Sequence, residues 1–383
     1  MLVAGEASGD ALGGRLAQAL KRKLPGRTLR FVGVGGAHMA AEGVQSPFDF
    51  GQVTVLGFFE GLLAYPRILA RVADTVALAQ REKPDIAVLI DSWGFTLRVA
   101  QGLKRIMPGL PVVKYVGPQV WASRPGRART LARCVDHLMS IHVFDAPFFE
   151  REGLTTTFVG NPTLHRDFSQ ADGGRLRAQL GAGKDEPILL VLPGSRPGEI
   201  ERVAPPFLDA VARLMAERPA LRVVLPVAPT VAEAVKALVA RRGLNVTLIE
   251  DEASKYDAMK AATVALACSG TVTTELALAG CPMVVGYRVG WVTYPIIRVM
   301  IRTRYITLFN IAAQAFVAPE FIQDACNGRT LARAIAERLD DPALRARQIA
   351  EQSAALEKMG RDGPDPSERA AEVVASLLER RGG

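Results

Sequence analysis

The sequence predicts an α/β protein of two doubly wound, parallel-sheet domains facing a cleft, closed by a helical C-terminus. Three observations predict it. Short apolar runs alternate with amphipathic helical runs, the pattern of strand–helix–strand units. The strand-like runs fall into two series, separated by the Gly- and Pro-rich stretch Gly181-Ala-Gly-Lys-Asp-Glu-Pro187. The length, 383 residues, fits two domains.

The first series is Met1–Ala4, Arg30–Val34, Asp85–Ile90, Val112–Val116 and His137–Ile141. The run from Asp85 to Ile90 is continuously apolar after its first residue, so it reads as a strand buried on both faces. The first helix starts near Asp10. Leu12, Leu16, Ala19 and Leu20 share a face, Lys21-Arg22-Lys23 complements the C-terminal dipole, and Pro25-Gly26 stops it. The opening strand is short. It is either an edge strand or the remnant of one that starts upstream, and we expect the second.

The second series is Ile188–Leu192, Arg222–Val227, Asn245–Ile249, Val264–Cys268 and Pro282–Gly286. The expected division is a Rossmann-like domain over 1–165, a second over 166–340, and helices over 341–383. In the last helix Ala370, Val373, Val374, Leu377 and Leu378 form an apolar stripe that must dock on the first domain or on another subunit.

Composition narrows the function classes. The longest stretch without a charged residue, Tyr305–Pro319, is 15 residues and too polar to span a bilayer. No apolar leader precedes the first strand, so we expect neither a transmembrane nor a secreted protein. Four dispersed cysteines and four histidines give no metal-ligand spacing and no disulfide framework, which fits a reducing cytoplasm. With 47 Lys and Arg against 39 Asp and Glu, the chain carries +8, compatible with nucleic acid, anionic lipid or phosphorylated small molecules. The positive charge is scattered rather than interleaved with aromatics, which argues against nucleic acid.

Four segments carry candidate chemistry. Gly5-Glu-Ala-Ser-Gly-Asp10 joins a strand to a helix and either presents N–H groups to an anion or sugar, or is a tight turn with Asp10 as N-cap. Asp91 ends the buried strand, where open sheets place ligands; it is a general base for a hydroxyl acceptor, or a cap for the next helix. Gly194-Ser195-Arg196 follows the first strand of the second series and offers close backbone approach, a hydroxyl and a forked cation to a phosphate. Ser269-Gly270-Thr271 repeats the theme, with Glu275 one turn inside the helix, either gripping ribose hydroxyls or complementing the dipole. No Asp-x-Asp occurs, so no metal is expected and the leaving diphosphate falls to Arg196, amides and helix dipoles. The segment from Val53 to Leu69 is apolar, with Phe58, Phe59, Leu62 and Leu63 flanked by Arg67 and Arg71. It reads as interfacial lipid contact, or as core or a dimer interface.

Val3-Ala-Gly-Glu-Ala-Ser-Gly-Asp10, Tyr115-Val-Gly-Pro-Gln-Val-Trp121, Leu192-Pro-Gly-Ser-Arg196, Ser269-Gly-Thr271 with Glu275, and Cys281-Pro-Met-Val-Val-Gly-Tyr287 occur in this order. Together they resemble the lipid-A-disaccharide synthase family, glycosyltransferases of the GT-B fold, over nearly the whole chain. The resemblance implies inverting, cofactor-free and metal-independent transfer of 2,3-diacylglucosamine from UDP-2,3-diacylglucosamine to 2,3-diacylglucosamine 1-phosphate. It implies work on the cytoplasmic face of the inner membrane, as a peripheral protein. The first domain would face acceptor and membrane, and the second would bind the UDP-sugar. It assigns Asp91 as catalytic, and Gly5, Glu6, Ser8, Asp10, Gly194, Ser195, Arg196, Ser269, Gly270, Thr271, Glu275 and Asn310 to substrate. A homodimer exchanging C-terminal segments is also implied. The chain departs from the family pattern at Trp93-Gly94, where a Pro-Asp pair is usual, and at Asn161, Phe309 and Gln314-Ala315. The alternatives are a GT-B N-acetylglucosamine transferase acting on a polyprenyl-linked precursor, a UDP-sugar epimerase, and a non-catalytic membrane-associated nucleotide-binding protein.

Overall fold

The structure, a computed structural model, describes residues 1–53, 65–290 and 303–382. It divides into two compact units, Met1–Pro162 with Asp362–Gly383, and Thr163–Arg361.

In the first unit the elements run β1 (Leu2–Ala4), α1 (Ala7–Lys23), β2 (Gly33–Val34), α2 (Ala37–Ala41), α3 (Tyr65–Glu82), β3 (Ala87–Ile90), α4 (Trp93–Ile106), β4 (Val112–Tyr115), α5 (Gly126–Ala132), β5 (His137–Ser140), α6 (Ala146–Glu150) and β6 (Thr155–Phe158). The sheet order is β2-β1-β3-β4-β5-β6, with parallel pairing throughout. β1 is therefore internal despite its three residues, bonded to β2 on one side and β3 on the other. β3 is fully buried on both faces, as its unbroken apolar run requires. One face of the sheet packs Leu89, Phe95, Val99, Leu103 and Leu138; the other packs Leu16, Ala17, Leu20, Ile90 and Tyr115.

The second unit runs α7 (Gly173–Gln179), β7 (Ile188–Leu192), α8 (Pro197–Glu217), β8 (Arg222–Pro226), α9 (Ala232–Arg241), β9 (Thr247–Ile249), α10 (Glu252–Ala261), β10 (Val264–Cys268), α11 (Thr271–Leu278), β11 (Met283–Tyr287), α12 (Leu308–Ala313), β12 (Glu320–Ile322), α13 (Gly328–Asp340) and α14 (Pro342–Lys358). Its sheet is also parallel, ordered β12-β11-β10-β7-β8-β9. α14 stays with this unit. Gln348 on it donates to the Met283 carbonyl at 2.8 Å and accepts from the Arg338 guanidinium at 2.7 Å.

Only the last helix, α15 (Pro366–Gly382), returns to the first unit. Ala370, Ala371 and Val374 join Leu16, Ala17 and Leu20 of α1 in one cluster. Arg22–Glu368 (2.6 Å) and Lys23–Glu372 (3.2 Å) flank the seam. The stripe read from the sequence thus docks on α1 of its own chain. Phe58, Phe59, Leu62 and Leu63 lie outside the described residues.

Candidate active site

Asp91 follows β3 directly. It and Ser92 both have left-handed backbone (φ 49° and 43°), so the chain leaves the sheet in a tight reversal before α4 begins at Trp93. Asp tolerates this region because its short polar side chain can bond locally; Ser92 is held there by packing and by bonds to its carbonyl. Gly5 abuts Ser92: a Cβ at residue 5 would lie 2.5 Å from the Ser92 hydroxyl. This is why the first turn needs glycine, irrespective of any ligand.

The backbone of Asp91 is fully bonded. Its N–H donates to the Tyr115 carbonyl at 2.8 Å, and its carbonyl accepts from the Lys114 amine and from the Thr96 hydroxyl at 2.7 Å. Its half-buried carboxylate meets the exposed Ser8 hydroxyl, 3.2 Å from Oδ2. Ser8 and the neighbouring Glu6 are exposed where α1 starts. Residue 91 thus combines a fixed main chain with an accessible carboxylate.

Asp10 has a different part. Its side chain is buried within α1, and its carboxylate accepts from the N–H groups of Gly36 (2.7 Å), Met39 (3.0 Å) and His38 (3.0 Å). It caps α2 rather than its own helix, because α1 begins three residues earlier than the pattern predicts. The Tyr115–Trp121 motif ends in another buried contact. Trp121 Nε1 donates to Asp145 at 3.0 Å, and burial pushes that carboxyl up to about 7 despite the bond. Trp93, one of the departures from the family pattern, lies under the Arg127 guanidinium at 5.0 Å.

In the second unit a cleft of about 600 Å³ opens at the carboxyl ends of β7 and β10. Gly194, Ser195, Arg196, Ser269, Gly270, Thr271 and Glu275 all line it, together with Glu199 and Lys255. The two loops that the sequence singled out are thus one site. Its electrostatics differ from the expectation in two respects. The Glu199 carboxylate already accepts from the backbone N–H of Ser195 (3.0 Å) and of Arg196 (3.3 Å), and pairs with the Arg196 guanidinium at 3.0 Å. Gly194, at φ 121°, makes room for it: a Cβ there would lie 2.6 Å from Glu199 Oε2. Glycine at this position therefore serves Glu199 as well as any ligand. Glu275, almost fully buried, is clamped between Arg166 (2.6 Å) and Lys255 (2.8 Å), with Tyr256 beneath both cations.

Sequence reasoning missed Glu199, Arg166 and Lys255. Glu199 was readable, since an acid at the third helical position bonds back to the capping residue's amide. Arg166 and Lys255 meet Glu275 only through the fold.

Asn310 lines no part of this cleft. It is fully buried; its amide donates to the Ala318 carbonyl and to Glu320, both at 2.9 Å, and its oxygen accepts from the Ala318 N–H. Glu320 in turn receives the N–H groups of Ile306 and Thr307, and the Ile306 carbonyl accepts from Ser269 at 3.3 Å. Asn310 thus braces the strand-end loop from behind. Replacing it with Asp sets a carboxylate against Glu320 and removes a donor; the expected loss is about 2–3 kcal/mol of stability, read by urea unfolding.

A family model described as lipid-A-disaccharide synthetase matches residues 1–374. A lipid-A-disaccharide synthase of Paramagnetospirillum magneticum is 41% identical over 381 residues, covering 99% of this chain and 97% of that protein. Among solved structures, the S. aureus MnaA–UDP co-structure aligns at TM-score 0.65 and 17% identity, covering 99% of this chain and 96% of its own. The glycotransferase of kitacinnamycin aligns at TM-score 0.58 and 15% identity, covering 98% of each. At those identities the two structures bear on the fold, which is the paired Rossmann-like architecture of GT-B glycosyltransferases. The family match runs through both units and every motif loop described above, and the chain belongs to the lipid-A-disaccharide synthase family.

Proposed function

We propose that Asp91 of the first unit and the cleft of the second divide the family's glycosyl transfer between them. The chain is a glycosyltransferase of lipid A biosynthesis. It moves 2,3-diacylglucosamine from its UDP ester to the 6-hydroxyl of 2,3-diacylglucosamine 1-phosphate, and UDP is the second product. Asp91 takes the proton from that hydroxyl as its oxygen attacks the anomeric carbon from the face opposite the diphosphate. The bond from that carbon to the diphosphate oxygen breaks, the configuration inverts, and the bonding pair leaves on UDP. Arg196 meets the charge that develops there, while Ser269, Gly270, Thr271 and Glu275 hold the nucleoside end.

One observation carries this reading: Asp91 keeps an accessible carboxylate on a main chain bonded at both its N–H and its carbonyl. The test is UDP release from UDP-2,3-diacylglucosamine in detergent with EDTA present. The expected result is release that depends on the monosaccharide 1-phosphate and is indifferent to the chelator. Release without acceptor, or none with both substrates, overturns the reaction.

Contact with the lipid surface belongs to the same proposal. Tyr65 and Leu69, one turn apart at the start of α3, are 45% and 42% exposed beside Arg67 and Arg71. That combination suits an interface where apolar groups enter lipid and guanidinium groups meet phosphates. Both substrates carry acyl chains, so a membrane-facing first unit on the cytoplasmic side of the inner membrane fits them. No helix of the described residues is long and apolar enough to cross a membrane. A homodimer that exchanges α15 rests on the family resemblance alone; here α15 packs on α1 of the same chain.

A further inference from the structure

Lys114 lies in the middle of β4, in register with Leu89 of β3 and Leu138 of β5. Paired residues of a sheet share a face, and this face packs Leu89, Phe95, Val99 and Leu138. A lysine with 2% of its surface exposed is out of place there. Its amine bonds the Asp91 carbonyl and the Thr96 hydroxyl, the latter at 2.8 Å. The Thr96 oxygen itself lies 2.7 Å from the Asp91 carbonyl and 2.9 Å from that of Ser92. Amine, hydroxyl and two carbonyls therefore form one knot beneath the residues that carry the left-handed reversal. A carbonyl turned inward by such a reversal has no strand or helix partner and must find a donor. Methionine would fill the same volume and leave it without the amine.

We propose that Lys114 is a positioning residue for Asp91. Through the Asp91 carbonyl and Thr96 it fixes the reversal that presents the carboxylate. This rests on the reading of Asp91 as the base. Burial brings the Lys114 ammonium down to about 7; Asp91 at the end of β3, Glu6 before α1 and Cys134 after α5 are the titratable groups that face it and oppose the shift. In the unfolded chain the amine titrates near its ordinary 10.5. Between those two values the unfolded state binds more protons than the folded one. Native stability therefore rises with pH across that window, and below about 7 the buried charge is carried at full cost.

Three variants test it, assayed in the full chain. Lys114→Met is expected to lower kcat by about 10- to 100-fold with the donor KM within about twofold, because the substrate-binding cleft of the second unit is untouched. Lys114→Gln, which restores a neutral donor, recovers part of that loss. Thr96→Val breaks the same knot from α4 and gives the same kcat loss, which decides the matter should Lys114→Met fail to fold. From pH 7 to 9 the wild-type Tm rises relative to that of Lys114→Met or, failing that, Lys114→Gln; a constant difference overturns the buried ammonium. Wild-type kcat in both Lys114→Met and Thr96→Val, or equal loss of kcat and donor affinity, overturns the positioning role. If Asp91→Asn keeps its turnover, the base assignment falls instead. If Asp91→Asn is inactive and both knot variants turn over normally, the positioning proposal alone falls.

Discussion

Asp91→Asn is expected to lower kcat by about 10²- to 10⁴-fold, the range lost when a general base is removed, while UDP affinity stays within about twofold. Asparagine is the informative replacement. Like Asp, it tolerates the left-handed region that residue 91 occupies (φ 49°), and it keeps an oxygen where Ser8 donates. Alanine would add backbone strain and confound lost basicity with a shifted loop. Initial rates at saturating donor and acceptor measure the first quantity, and calorimetric titration with UDP the second. The separation matters because Asp91 and the residues of the Arg196 cleft belong to different compact units. A variant that retained more than about a third of wild-type turnover would remove Asp91 from the mechanism. The base would then have to be sought elsewhere, and the neighbouring Trp93-Gly94 offers none.

The fold was legible where strands are buried on both faces. Ile188–Leu192 and Val264–Cys268 have the bounds read from their apolar runs, because no position on them needs to be polar. Two of the four edge strands, β6 and β12, were not legible. Thr155-Thr-Thr-Phe158 is partly exposed and carries too little apolar signal, and Glu320-Phe-Ile322 is only three residues long. β2 shrinks to Gly33–Val34 from the five residues its sequence implied. Of the site, the strand-end loops could be read from position alone, since a glycine and small hydroxyls after a buried strand leave N–H groups free. Which polar atoms are already taken could not. Asp10 is satisfied by amides 26 to 29 residues away, and Asn310 by Ala318 and Glu320 across a turn, so both resemble ligands in one dimension and braces in three. Lys114 could have been noticed: one charge inside Val112-Val-Lys-Tyr-Val116 is a buried cation wherever that run is a central strand.

The second large effect is expected at Arg196. Its side chain is 77% exposed, and its pairing with Glu199 is a surface contact worth at most about 1 kcal/mol. Arg196→Ala should therefore shift Tm by no more than about 4 °C. Turnover should fall by about 10²- to 10³-fold, the cost of removing a donor aimed at developing charge. The occupied loop sharpens that expectation. Glu199 already holds the N–H groups of Ser195 and Arg196, so the backbone cannot replace the missing guanidinium unless that carboxylate first moves away. Arg196→Lys keeps the charge but not the planar fork and should recover only part of the rate. Glu199→Gln separates the two roles of the carboxylate: its amide oxygen can still accept from the loop, while the negative charge beside the leaving diphosphate is gone, so donor KM should fall. Steady-state rates for the three variants, with Tm as the control for folding, check the set. Unchanged kcat and KM in Arg196→Ala would remove Arg196 from the proposed diphosphate site, and Lys255, 2.8 Å from Glu275 in the same cleft, would be the next cation to replace.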